Sequence, residues 1–90
     1  MKEHKTEVQI LDEIEKASAA IEVGAIYEHY KSADKTYKVL GFGTFEANDE
    51  LCVIYQAQYG EKLTFIRPVA VWLEQVKWKG HIVPRFKKNT

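Results

Sequence analysis

Two short stretches hold the side chains best able to do chemistry. Tyr27, His29, Tyr30 and Lys31 crowd the segment GAIYEHYK, while Arg67 and Arg85 each adjoin a proline. Histidine titrates near neutrality, and two residues apart on a strand Tyr27 and His29 would share a face. A catalytic His29 would need a nucleophile or an acidic partner, and no Ser-His-Asp or Cys-His pattern is legible. His29 therefore reads as a hydrogen-bonded structural or groove-lining residue. An arginine held beside a rigid proline can grip a carboxylate or phosphate through paired N–H bonds; the competing role is an internal ion pair, with Glu74 as the available acid. Phe86 reads as core rather than as a platform for stacking bases.

Other chemistry is sparse. His4 and His81 share no metal-ligand spacing with His29, and Cys52 is the only cysteine, so no internal disulfide and no thiol pair for zinc or an iron–sulfur cluster is expected. The GFG at residues 41–43 lacks a third glycine and a following helix, which argues against a nucleotide loop. No cofactor and no metal are expected. KWKGHIVPRFKK interleaves bases and aromatics as single-stranded nucleic-acid grooves do. Net charge is zero, but residues 1–22 carry −3, residues 23–66 carry −2 and residues 67–90 carry +5. A balanced total favours a solvated hairpin and tail over a dedicated nucleic-acid surface.

Elements must position these groups. Ninety residues suffice for one core. From Thr6 to Ile21 the pattern is helical: Thr6 and Gln9 form a capping box, Ile10, Ile14, Ala17 and Ile21 form an apolar stripe with Leu11 beside it, and Gly24 supplies the stop. The period then changes to two, predicting strands over residues 25–31, 36–46, 51–58 and 62–67, with turns at Ser32–Lys35, Ala47–Glu50 and Tyr59–Glu61. Pro68 ends the fourth strand, VAVWLEQV suggests a helical turn carrying Trp72 and Val76 inward, HIVPRF a last strand, and residues 87–90 a frayed tail. Leu51, Val53 and Tyr55 point one way and Cys52 and Ile54 the other, so both faces of strand three should be covered and Cys52 buried.

The blocks GAIYEHYK, YKVLGFG, LCVIYQAQYG, FIRPV and VPRF, in this order over residues 24–86, closely resemble the bacterial domain-of-unknown-function family numbered 1653. On that resemblance Tyr27, His29, Tyr30, Lys31, Tyr37, Gly41, Tyr55, Tyr59, Gly60, Arg67, Pro68, Glu74, Pro84, Arg85 and Phe86 occupy motif positions. The chain departs from the family pattern at Phe45, Ala47 and Asn48, where a histidine and a Glu-Thr pair are expected, and at Phe65, which replaces a tryptophan. The resemblance implies no activity and no catalytic residue.

These readings converge on an all-β domain, a small five-stranded SH3-like antiparallel barrel over residues 24–90, preceded by an amphipathic helix over residues 1–23. The expected role is a non-enzymatic binding module in which Tyr27, His29, Tyr59, Arg67 and Arg85 line a groove for an anionic ligand, either nucleic acid or a phosphorylated small molecule. The alternative is a protein-interaction module or homo-oligomer formed through the N-terminal helix. MKEHKTEVQI lacks the apolar core of a signal peptide, and no stretch is long and apolar enough for a membrane span, so a cytoplasmic, unprocessed chain is expected.

Overall fold

A computed structural model of the protein describes residues 4–89, so the extremities of the expected helical segment and tail lie outside the described residues. Helix α1 spans Glu7–Ala20 and begins with the expected capping box: Thr6 Oγ1 accepts from the Gln9 amide while Gln9 Oε1 accepts from the Thr6 amide. Asp49, in the turn after the second strand, accepts from His4 Nδ1 at 2.8 Å and from the Lys5 amide at 2.7 Å. These bonds moor the approach to α1 on the sheet and hold the Asp49 carboxyl below its ordinary range. Ala17 and Ile21 are buried and Ile10 and Ile14 half-buried, whereas Leu11 is exposed. The helix stops before Gly24: Ile21 is already extended, at φ −127° and ψ 113°, which turns its side chain into the core. Gly24, at φ +89°, instead bends the chain toward the sheet, where its amide donates to the Val39 carbonyl.

Strands β1 (Ile26–His29), β2 (Ser32–Phe45), β3 (Glu50–Ala57) and β4 (Thr64–Pro68) form the expected antiparallel meander. Residues 32–35, predicted as a turn, instead begin β2; the chain reverses at residues 30–31, with His29 opposite Ser32. A bulge at Leu40 separates the pairs Val39–Tyr55 and Gly41–Ile54 and bends β2. Nearby, a Cβ at Gly43 would lie 3.2 Å from Ile54 Cδ1, so a larger residue there would require that side chain to shift.

After β4 the structure departs from expectation. Only Val69–Trp72 of VAVWLEQV is helical (α2), and Val76 lies half-buried in β5 (Gln75–Trp78), outside the core cluster. β5 pairs with β6 (His81–Pro84) as a separate two-stranded sheet, and Phe86, expected at the end of the last strand, together with residues 87–89, expected in a frayed tail, forms β7 along β1. The five main strands run β4-β3-β2-β1-β7 and do not close into a barrel. Both β4 and β7 are edges. Closure would require these two to pair, which they do not; α2 and the β5–β6 hairpin lie between them in the chain, and Trp72 of α2 packs on Tyr55 and Phe86. The domain is a curled antiparallel sheet plugged by a tryptophan.

One face of that sheet holds the core. Cross-strand register places Tyr27, Val39, Val53, Tyr55 and Phe86 together, with Ile21 and Trp72 packed over them. Cys52, on the other face, is also buried, and burial pushes its thiol above the ordinary value. Among the described residues no helix is long and apolar enough to cross a membrane.

Candidate functional site: an arginine on an aromatic floor

Phe86 is the floor on which the polar groups gather. Trp72 stacks on it at 3.8 Å between ring centroids with planes 5° apart, and Tyr37, Tyr55 and His29 meet it edge-on. Arg67 opposes Val53 across the β3–β4 ladder, so its side chain rises from the core face. Its guanidinium lies 5.1 Å from the Phe86 centroid, and Nε donates to the Tyr55 hydroxyl at 3.2 Å. The ring beneath it and the hydrogen bond together position the guanidinium. Among the described residues no carboxylate pairs with Arg67. Its terminal N–H groups are positioned and uncommitted.

Two tyrosines flank this arginine. The Tyr37 and Tyr59 hydroxyls share a hydrogen bond of 2.6 Å, and Lys35 Nζ stands 5.4 Å from the Tyr59 ring centre. Burial, reinforced by Tyr59, pushes the Tyr37 hydroxyl up to about 12, against the opposing pull of Arg67. Tyr37 therefore keeps its proton at neutral pH, and the hydroxyl pair it forms with Tyr59 can donate as well as accept.

His29 completes the group. Its Nδ1 accepts from the Lys31 amide at 3.3 Å, so the neutral ring carries its proton on Nε2. Burial first, then the positive charges of Arg67, Arg85 and Lys31, lower its pKa from the ordinary 6.5. A lowered folded-state pKa means that the unfolded chain binds the proton more readily. His29 therefore supports folding fully above pH 6.5, and that support is lost as pH falls from 6.5 through the lower folded-state value. Urea midpoints of the protein and of its His29→Gln variant should accordingly converge as pH falls below 6.5; parallel curves would refute the assignment. The difference between the two cancels the contributions of His4 and His81.

The remaining expected residues divide. Arg85 acts on His29 and so lies in the same neighbourhood, but its Nη2 is paired with Glu74 at 3.0 Å. Its backbone clasps the hairpin to β1, with its amide donating to the Glu74 carbonyl and its carbonyl accepting from the Tyr30 amide. The internal ion pair envisaged from sequence is present for Arg85 and absent for Arg67. Tyr27 shares the face of His29 but is only 5% exposed, packs edge-on against Trp72 and accepts from the Glu22 amide, so it supports the patch from inside the core. Tyr37 and Tyr55 were motif positions only, and nothing in their local sequence indicates that they bracket Arg67. Register alone brings them there. Among the described residues no cluster of His, Cys, Asp or Glu could hold a metal ion.

Fold and patch define a small, mostly antiparallel β domain with an aromatic-backed cationic surface, a class to which no activity is attached. The chain belongs to the family described as "Protein of unknown function (DUF1653)", whose model matches residues 25–88. A crystal structure of a protein of this family from Bordetella bronchiseptica is similar, with a TM-score of 0.62 and 29% identity over 70% of this chain and 81% of that one. Among curated proteins no significant match was found.

Proposed function

We propose that the protein is a non-enzymatic binding module in which Arg67 receives an anionic group, a phosphate above all, with His29 and the Tyr37–Tyr59 pair donating beside it. The observation that carries this reading is the contrast between the two arginines. Arg85 is paired with Glu74, whereas Arg67 lies over the Phe86 ring, bonded to Tyr55, with no carboxylate partner among the described residues. A half-buried guanidinium left without its charge partner is costly unless something outside the chain provides one. The ligand class is a phosphorylated small molecule or a nucleic-acid segment, in keeping with a cytoplasmic protein. An anion here would also oppose the charges that depress His29, so binding should strengthen as pH falls and take up a proton.

Titration calorimetry with inorganic phosphate and pyrophosphate tests the reading. Arg67→Ala should weaken pyrophosphate binding by about 10- to 100-fold with an unchanged fold, the loss of charge-assisted hydrogen bonds worth about 1.5 to 3 kcal/mol. Arg85→Ala should instead lower stability by about 1 kcal/mol and affect binding less. Equal affinity in the protein and in Arg67→Ala would end the proposal. The second reading, association through α1, draws on Val8 and Leu11, which are 76% and 57% exposed on that helix. Concentration-dependent light scattering abolished by Leu11→Glu, with no anion binding, would favour it.

A further inference from the structure

A second recess lies on the opposite face of β1. There the side chains of Glu28 and Tyr30 meet Trp78, Val83 and Pro84 of the hairpin and Lys87 of β7 around a cleft of about 390 Å³. Tyr30 and Trp78 form two of its walls, 5.3 Å apart and nearly perpendicular at 80°. Lys31 Nζ stands 5.7 Å from the Tyr30 ring and Lys79 Nζ 5.5 Å from the Trp78 ring, so cations border both aromatic walls. Inside, Glu28 faces Lys87 across the β1–β7 ladder, yet it makes no ion pair or hydrogen bond among the described residues. The charge is thus ordered: an open carboxylate acceptor in the cleft, ammonium groups around it.

We infer that this cleft takes one base of a single-stranded nucleic acid, stacked on Tyr30 or Trp78, with its amino group donating to Glu28 and the adjoining phosphates on Lys31, Lys79 and Lys87. Aromatic walls bordered by lysines suit a base flanked by phosphates. The buried-side carboxylate decides between this occupant and an acidic peptide, because it repels an acidic side chain while accepting from the exocyclic amino group of cytosine. The inference rests on the anion-binding reading of Arg67, which would receive a further phosphate of the same strand. The two sites are continuous through His29 and Tyr30, whose rings are 4.5 Å apart at the end of β1. It also accounts for the interleaved bases and aromatics of KWKGHIVPRFKK, which Arg67 alone leaves unexplained.

Fluorescein-labelled RNA octamers of cytidine and of uridine, titrated by anisotropy at low salt, provide the test. Cytidine octamers should bind more tightly than uridine octamers, and Trp78→Ala should weaken both by roughly tenfold or more while leaving pyrophosphate affinity unchanged. Glu28→Gln, which preserves shape and can donate to uracil, should erase the preference for cytidine. The idea is overturned if Trp78→Ala binds RNA as the parent does, if the preference survives Glu28→Gln, or if octaglutamate displaces the RNA at equal concentration. Should Trp78→Ala fail to fold, Trp78→Phe with Glu28→Gln decides the matter by the same base preference. Arg67→Ala separates the two readings. Base preference retained with pyrophosphate binding intact would sink the Arg67 site and leave the cleft; pyrophosphate binding lost in Arg67→Ala with no base preference in the parent would sink the cleft alone.

Discussion

Phe86→Ala should cost about 3 to 5 kcal/mol of unfolding free energy, the largest effect expected of any single substitution in this protein. Domains of this size are stabilised by little more than that, so the variant should be largely unfolded near 37 °C. Phe86 is 7% exposed, carries Trp72 on its face and holds Tyr37, Tyr55 and His29 at its edge. Removing the ring would leave a void lined by Trp72, Tyr37, Tyr55, His29 and Arg67. The same substitution withdraws the floor under Arg67, so any residual folded protein should also lose anion affinity. Urea denaturation followed by tryptophan fluorescence gives the answer: a midpoint within experimental error of the parent would show that β7 is not part of the cooperative core.

Ile21→Ala ranks second, at about 2 to 5 kcal/mol. Ile21 is fully buried and belongs to the same cluster as Val53 and Trp72, although it lies outside the residues that match the family model. Around it the chain is doubly tied, by the Glu22 amide on the Tyr27 hydroxyl and by Lys88 Nζ on Glu22 at 2.6 Å. Truncation of the N-terminal segment should therefore have a boundary between Ala20 and Glu22. Deleting residues 1–20 should leave a cooperative fold, because α1 lays only part of one stripe on the sheet; deleting residues 1–22 should destabilise it by the further cost of Ile21. Thermal melts of the two truncations test this directly, and equal midpoints would show that Ile21 contributes nothing.

The elements that were legible in advance are those specified by near neighbours. Thr6 and Gln9 are three residues apart and made the capping box that their types require; the alternation in LCVIYQAQY put Leu51, Val53 and Tyr55 on the core face. Residues 47–50 turned where Asn48-Asp49 suggested, with Asp49 at φ 57°. Family membership was legible for a related reason, since it rests on ordered blocks of residues and requires no knowledge of where they meet.

What the tertiary structure decided depends on partners far along the chain. FKKN shows no alternation that marks a strand, and only pairing with β1 makes it one; its lysines then suit an open edge. Whether the sheet closed turned on whether β4 and β7 pair, a long-range matter that no local pattern in either strand sets. Arg67 and Arg85 look alike in sequence, each beside a proline, yet one is paired with Glu74 while the other bonds Tyr55 over the Phe86 ring with no carboxylate partner among the described residues. Tyr27 and His29 share a strand face, but α1's exit and Trp72 cover the first and not the second. Local pattern sets which way a side chain points; how much charge, water or aromatic surface it meets there is set by long-range packing, and it is this that separates an arginine paired with Glu74 from one with no carboxylate partner among the described residues.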